Sequence, residues 1–181
     1  ANAFEYSVSK LEKAGVSAII IEDKVFPKRN SLEAGIQQNL EDPEIFAQKI
    51  CRGKNIQKTD DFMIIARLES LISGKPMEDA VNRAKIYLKA GADGIMIHSK
   101  SKSANEIFEF AQHYKEITHQ LNLKKPLVCV PTSYNQTTES ELSAAGFQII
   151  IHANHLLRSA YKAMTETAET ILRNQRSLEV D

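Results

Sequence analysis

The chain has 181 residues, of which 43% are hydrophobic and 25% charged, enough for one domain with a buried core. Lys plus Arg and Asp plus Glu each number 23, and this zero net charge argues against a protein that binds nucleic acid through its phosphates. No apolar run approaches the roughly 18–20 residues of a membrane span, and the two cysteines lack metal-ligand spacing, so we expect a cytoplasmic protein without a disulfide framework.

Helices and apolar strands are predicted to alternate along the whole chain. An amphipathic helix opens it, and five apolar runs follow as strands: VSAIIIED, FMIIARLE, ADGIMIHS, PLVCVPT and FQIIIHAN. Gly15, Gly91 and Gly146 stand before three of these strands, at the left-handed position that commonly ends a helix. Because most of the runs are apolar throughout instead of alternating, they are typical of parallel strands covered on both faces.

The segments between the strands have helical spacing. One helix begins where Asp42 precedes Pro43. Capping boxes, in which a Ser or Thr pairs with a Glu three residues later, are predicted at two helix starts: Ser103 with Glu106 and Thr138 with Glu141. The last helix is predicted from about Leu156 to Leu172, with Ala160, Met164 and Ala168 on its inner face.

Polar side chains follow every predicted strand. They are Glu22 and Asp23, Arg67 and Glu69, His98 and Ser99, Thr132, and His152 and Asn154. An open α/β sheet binds its ligand at one switch point, whereas a (β/α)₈ TIM barrel gathers groups from all its strand ends. We therefore expect residues 1–181 to be a single domain that forms the last five strand units of such a barrel, with the first strands absent. An open sheet is the alternative.

The long loop from Asp23 to Glu41, which we call the flap, has no predicted secondary structure. Loops of this length in compact domains are often lids. Its cations (Lys24, Lys28 and Arg29) and its Asn30 and Ser31 suit a bound phosphoryl group, and Glu22 beside it suits Mg²⁺ or its waters. The alternatives are a solvated surface loop and an ion pair between Glu22 and a flap lysine.

Two other strand-end residues are candidates for the site. Arg67 lies between apolar neighbours, so its charge needs an anion, which is either Glu69 or a ligand. His98 ends its strand, a position that favours function, although a single histidine is often a structural group.

Four stretches together resemble the phosphoenolpyruvate mutase family of the isocitrate lyase/phosphoenolpyruvate mutase superfamily: EDKVFPKRNSL, IIARLESLISG, AGADGIMIHSK and PLVCVPTSY. They occur in the family's order over essentially the whole chain. The resemblance implies a (β/α)₈ barrel, Mg²⁺ dependence and the interconversion of phosphoenolpyruvate and phosphonopyruvate. It also implies a homo-oligomer whose subunits exchange their last helix, with no nucleic-acid or membrane partner.

The flap distinguishes the relatives. Superfamily lyases carry a cysteine in a KxCGH motif, whereas this chain has FPKRNS. Phosphonopyruvate hydrolase is more similar but has threonine where Asn30 stands, so the resemblance favours the mutase. The hydrolase, or a lyase acting on another 2-oxo acid, remains the alternative.

The resemblance also implies residue roles. Glu22 corresponds to a carboxylate that contacts the metal through water. Substrate and catalytic contacts correspond to Lys28, Asn30, Ser31, Arg67 and His98. Among these, Ser31 is expected to bind substrate, Lys28 to be catalytic, and the other three to do both.

The resemblance also implies that the family's main metal-binding aspartates lie on strands that precede these residues. We therefore expect the 181 residues alone to have little or no activity. A non-catalytic half-barrel that serves in assembly is the competing interpretation from another class of protein.

Overall fold

Within residues 2–33 and 35–181, which the computed structural model describes, five strands and six α-helices alternate. A short 3₁₀ helix at Leu178–Val180 follows the last of them. The elements in chain order are α1 (Asn2–Lys13), β1 (Ala18–Glu22), α2 (Pro43–Ile56), β2 (Met63–Leu68), α3 (Met77–Lys89), β3 (Gly94–Ile97), α4 (Asn105–Gln120), β4 (Leu127–Cys129), α5 (Glu139–Ala145), β5 (Ile149–Ile150) and α6 (His155–Asn174). The predicted alternation is confirmed.

The five strands form one sheet in the order β1-β2-β3-β4-β5, and every neighbouring pair is parallel. Glu22 pairs with Arg67 in the register of β1 and β2. Sequential order and parallel pairing place all the carboxyl ends at one edge of the sheet, which is where ligands bind in parallel α/β folds. The fold therefore brings the polar strand ends of the sequence to a common edge.

Apolar side chains cover both faces of this sheet. The main core packs helices α2 to α5 against one face and includes Phe46, Tyr87, Ile97 and Phe110. Side chains alternate along a strand, so Ile65, Met96 and Val128 form a separate cluster on the opposite face. Burial on both sides explains why the central strands, β2 to β4, are mostly apolar.

One of the two predicted capping boxes is present. Thr138 and Glu141 cap the start of α5 reciprocally. The box predicted for Ser103 and Glu106 is wrong, because the Glu106 carboxylate instead accepts a hydrogen bond from Ser99 after β3, at 2.5 Å. Ser99, which precedes Glu106 by seven residues, has thus replaced Ser103 as the partner of this carboxylate.

The chain divides into two compact units, Ala1–Ile151 and His152–Asp181. Helix α6 lies in the second unit, and none of its residues, all of which the structure describes, is buried. The buried inner face predicted at Ala160, Met164 and Ala168 is therefore wrong for the single chain.

A charged network ties the amino ends of the strands together. The carboxylate of Asp93, just before β3, accepts hydrogen bonds from Lys54 (2.6 Å), Lys125 (3.0 Å) and the Ile64 backbone (2.9 Å). Burial would raise the pKa of Asp93, but the bonds from Lys54, Ile64 and Lys125 outweigh it and lower the pKa. This network stabilises the edge opposite the candidate site.

Candidate active site

Arg67, at the carboxyl end of β2, connects the other groups of the candidate site. Its Nε donates to Glu69 Oε1 (2.5 Å), and its NH2 nitrogen donates to Ser31 Oγ (3.0 Å). The same NH2 nitrogen lies 2.8 Å from His98 Nδ1. Residues from two strand ends and the flap thus meet at one guanidinium. The sequence predicted that the charge of Arg67 is balanced either by Glu69 or by a ligand, and the structure shows the pairing with Glu69.

Glu69 is the wholly buried carboxylate behind this cluster. Its Oε1 lies 3.0 Å from His98 Nδ1, and its Oε2 accepts from Ser31 Oγ at 2.5 Å. Burial alone would raise the pKa of Glu69, but the hydrogen bond from His98, the charge of Arg67 and the hydrogen bond from Ser31 bring it to about 2. Glu69 is therefore ionised, and it fixes the three side chains around it.

The sequence predicts Glu69 only as a partner for Arg67. The i, i+2 spacing of the two residues carried more information, because side chains two apart on an extended segment point to the same side. An Arg and a Glu on one side at a strand end form a pair that can orient further polar groups.

The position of His98 leaves one ring nitrogen for a ligand. His98 Nδ1 lies 2.8 Å from Arg67 NH2 and 3.0 Å from Glu69 Oε1, so it accepts from the guanidinium in one tautomer and donates to the carboxylate in the other. Both neighbours hold the ring, which is 6% exposed, through this one nitrogen. Nε2 is the ring nitrogen that can meet a polar ligand atom.

Glu22, at the end of β1, is surrounded by cations. Its carboxylate lies 3.6 Å from Lys24 Nζ, 3.8 Å from Arg67 NH2 and 3.9 Å from Lys28 Nζ. Among the residues that the structure describes, no three His, Cys, Asp or Glu side chains come together as a metal site. Because Mg²⁺ needs several oxygen ligands, these residues do not form a magnesium site by themselves. Glu22 can contribute only one carboxylate to such a site.

Lys24 is inside the flap instead of facing a ligand. Its buried ammonium group donates to Arg29 O (2.6 Å), Ser31 Oγ (2.8 Å) and Gln38 Oε1 (3.1 Å). In this structure Lys24 bonds within the flap and lies 3.6 Å from Glu22, and its expected role of bringing charge to a bound phosphoryl group stays a prediction. Its bonds hold both halves of the flap, and they position Ser31 beside Arg67.

Lys28 reaches the end of β1, whereas Asn30 does not reach the cluster. Lys28 Nζ donates to the backbone oxygen of Glu22 at 2.8 Å, and burial lowers the pKa of Lys28. Asn30 Oδ1 accepts from Leu32 N at 3.0 Å. In the described part of the chain, no hydrogen bond joins the Asn30 side chain to Arg67 or His98. Of the six predicted site residues, Asn30 alone lies outside the group that the structure brings together.

The family model described as phosphoenolpyruvate phosphomutase matches residues 1–172. Phosphonopyruvate hydrolase from Variovorax sp. (strain Pal2) is 41% identical over 177 residues, which are 97% of this chain and 59% of the relative. Phosphoenolpyruvate phosphomutase from Tetrahymena pyriformis is 36% identical over 174 residues, 96% of this chain and 56% of the relative. The chain thus spans less than two thirds of these relatives.

Solved structures show the same similarity. The crystal structure of phosphoenolpyruvate phosphomutase from Streptomyces platensis subsp. rosaceus matches with a TM-score of 0.89 and 39% identity, over 97% of this chain and 58% of that one. Phosphonopyruvate hydrolase in complex with oxalate and Mg²⁺ matches with a TM-score of 0.84 and 39% identity, over 98% and 58%. The parallel sheet is therefore part of a (β/α)₈ barrel of the predicted type.

No helix in the described residues, 2–33 and 35–181, is both long and apolar enough to cross a bilayer. The family model matches residues 1–172, and two curated relatives share 36% and 41% identity with nearly the whole chain. The chain belongs to the phosphoenolpyruvate phosphomutase family.

Proposed function

We propose that the protein containing this chain is a phosphoenolpyruvate mutase, an isomerase that interconverts phosphoenolpyruvate and phosphonopyruvate. In this proposal residues 1–181 are the C-terminal portion of its barrel domain. The observation that carries the proposal is the junction of Arg67, His98 and Ser31 beside Glu22, at the carboxyl edge of the sheet. The Arg67 side chain is 24% exposed and the His98 ring lies against it, an arrangement that suits a small dianion.

The proposed reaction moves a phosphoryl group within one molecule. The bond from phosphorus to the enol oxygen breaks, a bond from phosphorus to the methylene carbon forms, and no water is consumed. Because phosphoryl transfer passes through a loose transition state, the protein mainly positions and neutralises the moving group. Arg67 and His98 hold its oxygens, and the flap excludes the water that would otherwise capture it.

The proposed reaction uses Mg²⁺, and this chain supplies only a small part of its ligands. Glu22 contributes one carboxylate, through water, and the remaining ligands come from residues outside these 181. For the same reason we expect the chain alone to have little or no turnover.

Asn30 is the reason for choosing the mutase over the hydrolase. The resemblance places asparagine at this flap position in mutases and threonine in phosphonopyruvate hydrolase. The hydrolase is the second candidate, since relatives of both kinds are similarly close to this chain. Catalysis by the mutase requires Asn30 to turn away from Leu32 N and toward the substrate, as a closing flap would allow.

The exposed apolar side chains of α6 support the proposed homo-oligomer with exchange of the last helix. Leu156 is 88% exposed and Leu172 is 78% exposed. A helix with such residues is stabilised when another subunit covers them.

Phosphorus NMR of the whole protein with phosphonopyruvate and Mg²⁺ tests the proposed function. We expect phosphoenolpyruvate to accumulate as the product. Inorganic phosphate and pyruvate as main products would identify the hydrolase. A well-folded protein with no turnover and no Mg²⁺-dependent ligand binding would instead support the assembly module.

Replacing Asn30 by threonine is expected to lower the isomerisation rate by on the order of tenfold or more and to raise the share of turnovers that yield phosphate. The reason is that the amide would no longer hold the migrating group, so water competes for it. The two products are measured together by phosphorus NMR. Asn105→Thr, at an exposed position of α4, is the matched control and should leave both rates unchanged. An unchanged product ratio for Asn30→Thr would remove the reason for preferring the mutase.

A further inference from the structure

Asp23 is a wholly buried carboxylate that takes no part in the proposed chemistry. Its Oδ1 accepts from the backbone N–H of Glu69 at 2.9 Å. Its Oδ2 accepts from Tyr87 Oη at 2.8 Å and from Arg83 NH1 at 3.2 Å. Asp23, Arg83 and Tyr87, which we call the hinge network, thus link the end of β1, the segment after β2 and helix α3.

The hinge network also holds the two ends of the flap together. Arg83 NH1 donates to the backbone oxygen of Glu41 at 2.9 Å, and Glu41 N donates to the backbone oxygen of Asp23 at 2.9 Å. Arg83 Nε donates to Asp79 at 2.9 Å, which fixes the guanidinium on α3. One arginine therefore contacts both the first and the last residue of the flap.

We propose that the hinge network positions the catalytic groups by fixing the base of the flap and the backbone of Glu69 to α3. Glu69 orients Arg67, His98 and Ser31, so a shift of its backbone would move all three. The three members of the network are positioning residues and do not touch the substrate. The effect on catalysis rests on the proposed function. The anchoring of the flap to α3 does not depend on it.

The buried location of the network requires mild variants and a matched control. Arg83→Lys keeps a positive charge but cannot form the forked contacts to Glu41 and Asp79. Tyr87→Phe keeps the ring that packs on Phe46 at 4.8 Å between centroids and removes the hydroxyl. Lys54→Met is the control, because it disrupts the Asp93 network at the opposite edge of the sheet.

Limited trypsin digestion of the whole protein measures the hinge directly. Arg29 is exposed within the flap, and cleavage after it requires the flap to open locally. In Arg83→Lys we expect cleavage after Arg29 to be about tenfold faster, with a smaller increase in Tyr87→Phe, as expected from losing hydrogen bonds to a buried charge. Lys54→Met, compared at an equal distance below its Tm, should cleave at the wild-type rate. Equal rates in Arg83→Lys and Lys54→Met would overturn the proposal.

Catalysis provides a second readout that a purely structural role would not change. In Arg83→Lys the share of turnovers that yield phosphate should rise, because a loosened flap admits water, and Lys54→Met should keep the wild-type share. An unchanged share in Arg83→Lys would contradict the catalytic part of the proposal. If the wild type shows no mutase turnover, the proposed function fails, and the digestion still decides whether the hinge network anchors the flap.

Discussion

Replacing Arg67 by methionine is expected to lower kcat/KM of the whole protein for phosphonopyruvate by on the order of 10³. The Arg67 side chain is 24% exposed, so it is accessible to a ligand at the end of β2 as well as bonded to Glu69 and Ser31. Methionine keeps much of the side-chain volume but removes the positive charge and all the donors. Steady-state kinetics at saturating Mg²⁺ give the value, and single-turnover kinetics show whether the loss lies in the chemical step.

Two companion variants separate charge from geometry. Arg67→Lys restores the charge without the planar fork, so we expect it to recover only a small part of the lost rate. Arg52→Met changes an exposed arginine on α2 and should have wild-type kinetics. A kcat/KM for Arg67→Met close to the wild-type value would show that another group holds the phosphoryl oxygens.

The five strands could be predicted because their signal is local. A continuous apolar run after a left-handed glycine indicates a buried parallel strand wherever it occurs, and Gly15, Gly91 and Gly146 all have positive φ. Three of the five strands follow such a glycine, and once all five alternate with helices, the order of the sheet follows from the preference of successive parallel strands to be neighbours. The strand-end positions of Glu22, Arg67 and His98 follow from the same pattern.

The supporting residues could not be predicted, because their partners are distant in sequence. Arg83 lies on an amphipathic helix, where a charged residue is normally expected to be solvated, yet it is 6% exposed. Its partner Asp23 is 60 residues away along the chain. Lys24 likewise looks like one of several flap cations until the fold shows Ser31 and Gln38 around its ammonium group. The Ser103 box failed for a different reason, since a second serine nearby, Ser99, donates to the carboxylate of Glu106.

Replacing Glu69 by glutamine is expected to lower the free energy of unfolding by about 3 kcal/mol near neutral pH. The amide has nearly the same shape, but it carries no charge and places an NH₂ group among donors. Arg67, His98 and Ser31 all bond to the carboxylate, and Lys24 Nζ lies 3.5 Å from it. Without the carboxylate, the buried cation at Lys24 loses much of its compensation, which is costly. Urea-induced unfolding of the wild type and the variant gives the difference.

Comparing the wild type with Glu69→Gln at several pH values also tests how the stabilising contribution of Glu69 depends on pH. The pKa of Glu69 is about 2 in the folded protein against an ordinary value of 4.5, so the unfolded state binds its proton first as pH falls. The contribution of Glu69 is therefore complete above about pH 5 and lost progressively towards about pH 2. We expect the difference between wild type and Glu69→Gln to be largest near neutral pH and to shrink steadily with acid. Glu116→Gln, at an exposed position of α4, should show almost no difference at any pH. A Glu69→Gln difference that is the same at about pH 3 as near neutral pH would mean that shape, and not the charge of the carboxylate, holds Arg67, His98 and Ser31 in place.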